Sequence, residues 1–172
     1  MTAETLRRVV LLRHAKAERS DGEDRERPLA ERGRKDAPAA GRWLAEAGIS
    51  PDLALCSTAL RCRETWKLAQ AELAERPRTV HEERVYDASI SELIALLNET
   101  DDEVKDLLVV GHNPGLHALA DALAERGEGD LVARMNRSGF PTSAIAVVAF
   151  TGSWKSAEPG VGTLVSFWAP HA

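Results

Sequence analysis

Two histidines and two arginines stand where an α/β protein would do chemistry: Arg13, His14, Arg61 and His112. In an open α/β sheet, ligands bind beyond the carboxyl ends of the strands, so the residues directly after each apolar run are the natural candidates. Arg13-His14 follows Val9-Val10-Leu11-Leu12. Ser57-Thr58 follows Leu53-Ala54-Leu55-Cys56, with Arg61 one turn on, and Gly111-His112-Asn113-Pro114 follows Leu107-Leu108-Val109-Val110. Phosphate suits this set, because guanidinium forks match its oxygens bidentately and imidazole serves as nucleophile or as donor. Arg61 adds a second pointer. A cation in the first turn of a helix opposes the macrodipole by ~0.3–1 kcal/mol unless an anion lies there too.

Any one histidine is more often a packing or surface residue than a catalytic one, but four reactive residues at matching strand ends are harder to explain that way. Metals suit the set poorly. His112 and His117 are five residues apart, not the four that would put two ligands on one helical face, and no carboxylate cluster accompanies them. His81, His117 and His171 therefore read as structural or surface residues. Lys16 reads as a solvated lysine near the pocket entrance, and Ser57 and Thr58 as helix caps rather than phosphate donors. Trp43, Trp66, Trp154 and Trp168 read as core or sheet-packing residues.

The elements that must position these groups follow from periodicity. The three apolar runs read as buried strands. Helices are expected over 31–47, stopped by Gly48 and kinked or restarted by Pro38, and over 58–75, 89–99 and 114–126. Asn113 is the expected N-cap of the last helix and Pro114 its first residue. Residues 144–150 and 163–168 read as a final pair of strands, and Thr79 to Glu83 as a further short one. Alternation of strand and helix predicts an α/β three-layer sandwich: a mostly parallel central sheet flanked by helices and finished by a more antiparallel edge. The charged, turn-rich segment 19–32 reads as an exposed, solvated connection over one end of the sheet.

With 172 residues, of which 44% are hydrophobic and 28% charged, the chain fits one domain, 1–172, with a sizeable core. Twenty-two Lys plus Arg against 27 Asp plus Glu give a net charge of −5, which argues against nucleic acid or an anionic membrane as partner. Cys56 and Cys62 are too few for a disulfide framework and lack CxxC spacing. Val9 to Leu12 is too short for a secretory or spanning segment, and Ser138 to Trp154 is broken by Gly139, Pro141 and hydroxyls. A cytoplasmic protein without membrane attachment is expected.

Leu11-Leu12-Arg13-His14-Ala15-Lys16-Ala17-Glu18 resembles the signature of the histidine phosphatase superfamily, also called RHG or phosphoglycerate mutase-like. Arg27-Pro28-Leu29, Glu31-Arg32-Gly33, the run Cys56 to Thr65 and Val110-Gly111-His112-Asn113-Pro114-Gly115 resemble its small phosphohistidine phosphatase branch, in order and across most of the chain. The wider superfamily usually has glycine where Ala15 stands, although alanine occurs in the small branch. The resemblance implies that His14 attacks phosphorus and is transiently phosphorylated, while Arg13, Arg61 and His112 hold the phosphoryl oxygens; it implies no cofactor and no metal. His14 must be neutral to attack, whereas His112 is more useful protonated, a state that a bound dianion would favour.

Many relatives acting on monoesters carry an acidic proton donor downstream. Here the candidate is Asp87, with Glu83 behind it, and the competing reading of Asp87 is a loop or helix-initiating carboxylate. A site without a strong acid favours phosphohistidine, whose imidazole departs more easily than an alkoxide. The expectation is a metal-independent phosphatase acting on a phosphorylated protein. The alternatives are a phosphomonoesterase or mutase acting on a small phosphorylated substrate, and a phosphate-binding regulatory module with little turnover.

Overall fold

The computed structural model describes residues 5–19 and 21–171; Ser20, within the charged segment, lies outside them. Seven strands form one sheet: β1 (Leu6–Arg13), β2 (Leu53–Cys56), β3 (Arg78–His81), β4 (Asp106–Gly111), β5 (Ala124–Gly127), β6 (Ile145–Thr151) and β7 (Gly162–Trp168). Five helices connect them: α1 (Glu31–Glu46), α2 (Leu60–Gln70), α3 (Ile90–Glu99), α4 (Gly115–Leu123) and α5 (Leu131–Ser138). The strand order is β3-β2-β4-β1-β6-β7-β5. Neighbours pair in parallel except at β6, which is antiparallel to both β1 and β7.

The strand period of two sorts β1 onto both faces of the sheet. Val9 and Leu11 join Leu93, Leu96 and Leu97 of α3 and Leu116 and Leu119 of α4 in one cluster. Val10 and Leu12 join Ala40 and Leu44 of α1 and Cys62 and Trp66 of α2 in the other. These two apolar layers on one mostly parallel sheet make the predicted three-layer α/β sandwich. Trp66 and Trp154 are buried, and Trp43 stacks on Trp168 with ring centroids 6.1 Å apart. Among the described residues, no helix is long and apolar enough to cross a membrane.

Several local expectations need correction. The antiparallel pair does not finish the sheet, because β6 inserts beside β1 and the short parallel strand β5 takes the edge. Residues 124–127 pair with β7 instead of continuing α4, so tertiary pairing overrides a helical pattern there. α1 runs unbroken through Pro38, with Ala37, Ala40 and Leu44 buried around it, so burial outweighs the one missing backbone donor. Gly48 does end it as expected, at φ +70°. Asn113 does not cap α4. Its amide donates instead to the carbonyls of Gly139 and Phe140, at 3.1 and 2.9 Å. Pro114 precedes the helix as an uncapped N-terminal residue after a cis bond. Ser57 and Thr58 do not cap α2, which starts after Ala59.

α1 and α2 touch backbone to backbone at Gly41. A Cβ there would lie 2.1 Å from the Ala69 carbonyl oxygen, so no rotamer change relieves the clash. Gly41→Ala is expected to destabilise the fold by about 2 kcal/mol or more, read as a lowered urea midpoint at unchanged m-value.

Candidate active site

β1, β2 and β4 run side by side in the same direction, with Arg13 opposite Gly111 and Cys56 opposite Val110. The residues that follow each strand therefore emerge on one rim. The His14 amide donates to the Gly111 carbonyl and the Ser57 amide to the Val110 carbonyl, both at 3.0 Å, which extends the alignment past the strand ends. The rim bounds a cavity of about 250 Å³ lined by Arg13, His14, Lys16, Ala17, Arg27, Arg61, Asp87, His112, Asn113 and Thr142. All four predicted core residues of the site and Asp87 share this wall.

His14 is 8% exposed, and its ring lies 5.4 Å from that of His112. The Ala15 carbonyl lies 2.8 Å from Nδ1 of His14. A carbonyl only accepts, so Nδ1 carries the proton and Nε2 holds the free lone pair. Burial holds the imidazole neutral, pushing it down to about 3, and the charges of His112, Arg13 and Arg61 act in the same direction. The ring thus has the tautomer and the charge that a nucleophile needs.

His112 is fixed from both sides. Arg61 Nη2, which can only donate, lies 3.2 Å from its Nδ1, so Nδ1 accepts and Nε2 donates to Ser57 Oγ at 2.7 Å. Ser57 is fully buried behind the ring and orients it. Burial first, then Arg61, push His112 down to about 4. Without a bound dianion His112 is neutral too, and the protonated form expected from the sequence requires one to arrive.

Arg13 donates to the Phe140 carbonyl at 3.0 Å. Arg61, 6% exposed, donates to the carbonyl and the carboxylate of Asp24, at 2.8 and 2.9 Å. The charged segment is therefore no free connection: its short 3₁₀ turn, Asp24–Glu26, is bound to the rim. Arg25 reaches Thr58 Oγ1 at 3.2 Å, pairs with Glu83 at 2.8 Å and lies 4.2 Å over the Tyr86 ring. Glu83 is taken up by that pair and does not line the cavity, whereas Asp87 does, from a left-handed backbone at φ +54°. Lys16 is exposed, as expected of a solvated lysine, and also lines the cavity.

Sequence reasoning missed Asp24, Tyr86 and Thr142. A carboxylate near Arg61 was foreshadowed only by the unfavourable place of that cation in the first turn of α2. His81 and His171 are exposed and His117 bonds Asn136 at 2.8 Å, so none of the three lines the cavity.

An α/β sheet that presents Arg-His at the end of a central strand, with a second arginine and histidine from its neighbours, has the chemistry to hold an oxyanion beside a neutral imidazole. Known proteins share this fold. Residues 9–90 match the family description "Histidine phosphatase superfamily (branch 1)". The Mycobacterium tuberculosis protein Rv1276c is 43% identical over 162 residues, 93% of this chain and all of that one. A structure from Agrobacterium tumefaciens, named as a candidate phosphohistidine phosphatase SixA, is 33% identical with a TM-score of 0.79, over 95% of this chain and 99% of that one. A counterpart from Nakamurella multipartitia, also named as a candidate, is 26% identical with a TM-score of 0.81, over 97% and 98% of the two chains. The chain belongs to the histidine phosphatase superfamily, in its small SixA-like branch, and is a phosphatase by family.

The imidazoles of His14 and His112 are both held far below the ordinary 6.5, at about 3 and about 4. Between pH 6.5 and these values the unfolded chain binds more protons than the folded one, so stability falls on acidification through that window. His14→Ala is expected to flatten this loss, measured as the urea midpoint at stepped pH without phosphate. A midpoint that changes equally with pH in wild type and variant contradicts the assignment of a neutral His14.

Proposed function

We propose that the protein dephosphorylates phosphohistidine on other proteins through a phosphorylated His14 and without a metal ion. The observation that carries this reading is the His14 ring: Nδ1–H held by the Ala15 carbonyl, neutral by burial, with Nε2 left for attack beside Arg13, Arg61 and His112. Nε2 bonds to phosphorus as the P–N bond to the substrate imidazole breaks. A substrate ring protonated on its other nitrogen departs neutral and needs no acid. Arg13 and Arg61 hold the equatorial oxygens, and His112 joins them once a proton brought in with the dianion occupies Nδ1 in place of the bond from Arg61; alignment and cationic charge give most of the rate in phosphoryl transfer. The Nδ1 proton stays on the phosphorylated His14 ring, so that ring is itself a neutral leaving group when water attacks phosphorus. Orthophosphate leaves and the starting tautomer returns.

The names of the two SixA-like structures support phosphohistidine as substrate, and a cavity of about 250 Å³ lies below the range usual for pockets that enclose a small-molecule ligand. One observation favours a second reading, hydrolysis of small phosphomonoesters: Asp87 lines the cavity and could protonate an alkoxide.

Turnover of a phosphohistidine-bearing protein and of p-nitrophenyl phosphate, both in EDTA, tests these readings. His14→Ala is expected to lose ~10³-fold or more on either substrate. Asp87→Asn is expected to keep phosphohistidine turnover within ~3-fold while losing ~10-fold or more on an alkyl phosphate, whose leaving group needs the acid. Preference for the monoester, or loss of both activities in Asp87→Asn, promotes the second reading; loss of activity in EDTA contradicts both.

A further inference from the structure

Arg61 lies in the first turn of α2, where the helix dipole opposes a cation, and Asp24 is the anion that the structure places against it. The Asp24 carbonyl accepts from Nη1 and Oδ2 accepts from Nη2, so one residue holds both ends of the guanidinium fork. Arg27 donates to Oδ1 at 3.1 Å and the Tyr86 hydroxyl donates to Oδ2. Tyr86 in turn packs edge-on to His112, with ring centroids 5.3 Å apart. The Tyr86 hydrogen bond, helped by Arg27 and Arg61, holds the Asp24 carboxyl well below the usual carboxylate range, so its charge is permanent at working pH. The cavity wall itself carries four cations, Arg13, Lys16, Arg27 and Arg61, against the single carboxylate of Asp87.

This balance creates a conflict for a phosphatase. Cations that steady a transferring phosphoryl group also hold the product, and an enzyme gains only from interactions stronger in the transition state than with bound product or substrate. A carboxylate fixed on one of those guanidiniums repels orthophosphate and at the same time prevents the fork from swinging away. We propose that Asp24 is the resident counter-anion of the phosphate cradle: a positioning residue that sets the direction of Arg61 and weakens the hold on free orthophosphate, so that product leaves. The inference rests on the cradle described under the proposed function, and its test needs no turnover.

Calorimetric titration of the full chain with inorganic phosphate reads the effect directly. Asp24→Asn keeps an acceptor for Arg61 but removes the charge, and is expected to bind phosphate ~3–10-fold more tightly at low salt. The gain should shrink at ~1 M salt, where the Debye length is ~3 Å. Asp24→Glu should restore affinity toward wild type. Glu26→Gln removes the same unit of charge from the same 3₁₀ turn and should shift the affinity less than ~2-fold, because Glu26 does not contact Arg61. In the turnover assay, Asp24→Ala is expected to lower KM and kcat together, a split that general destabilisation does not produce. Asp24 is exposed, so these variants should melt within a few degrees of wild type; if Asp24→Asn does not fold, Asp24→Ser reads the same loss of charge. Equal or weaker phosphate binding by Asp24→Asn, or an equal gain in Glu26→Gln, overturns the proposal. A wild-type chain that binds phosphate but hydrolyses nothing overturns the proposed function instead, and leaves the role of Asp24 to the binding data.

Discussion

The site depends first on strand register. Arg13 lies opposite Gly111 and Cys56 opposite Val110, so three chain segments far apart in sequence end at one level. Side chains alternate faces with a period of two, and a slip of one residue in β1 would exchange the faces of Val9, Val10, Leu11 and Leu12 along with the place of His14. All four of those residues are fully buried, two in each apolar layer. A slip would also carry Arg8 or Arg13 into a fully buried apolar place, so burial of this four-residue run disfavours it. The geometry of the rim is thus tied to hydrophobic burial, and core packing holds it indirectly.

Electrostatics then does what packing cannot. Two guanidiniums and two imidazoles in one half-closed site would repel if all were charged. Burial removes the charge from both rings, and Asp24 balances Arg61. Arg7, at the opposite end of β1, shows the other way to keep a buried cation. Its guanidinium donates to the carbonyls of Gly152, Val104 and Asp102, with the Asp102 carboxylate 3.5 Å away. Arg7 faces main-chain acceptors that no ligand can displace, which suits a structural role. Arg61 faces a half-exposed side chain and a cavity, where a ligand can compete for its donors.

The sequence displays the strands and the four central residues because both signals are local. Val9 to Leu12, Leu53 to Cys56 and Leu107 to Val110 are unbroken apolar runs, and each of the four residues follows its run within five positions. What stayed hidden is long-range. Asp24 meets Arg61 across 37 residues and Tyr86 meets Asp24 across 62, and neither has a local pattern that announces a partner. The same holds for Asn113, whose position before Pro114 looks like an N-cap until the carbonyls of residues 139 and 140 take up its amide group. β5 was lost for a related reason: Ala124 to Gly127 has no strand signal, and its pairing with β7 depends on where Gly162 to Leu164 already lie.

Backbone strain adds an independent mark of function. Among the described residues, three non-glycines have positive φ: Asp87 at +54°, Phe140 at +55° and Ser143 at +66°. Such conformations cost of order 1–3 kcal/mol each and persist where the surroundings over-determine them. All three adjoin the cavity. Asp87 lines it, the Phe140 carbonyl accepts from both Arg13 and Asn113, and the Ser143 amide meets the carbonyls of Arg13 and His14 at 3.2 and 3.0 Å. Asp tolerates the left-handed region, but Phe does not adopt it readily, and the Phe140 ring is fully buried. Burying that ring fixes the loop, and the loop in turn aims its carbonyl at Arg13. The apolar core thus offsets the cost of a backbone arrangement that holds a guanidinium beside His14 and fixes the Asn113 amide.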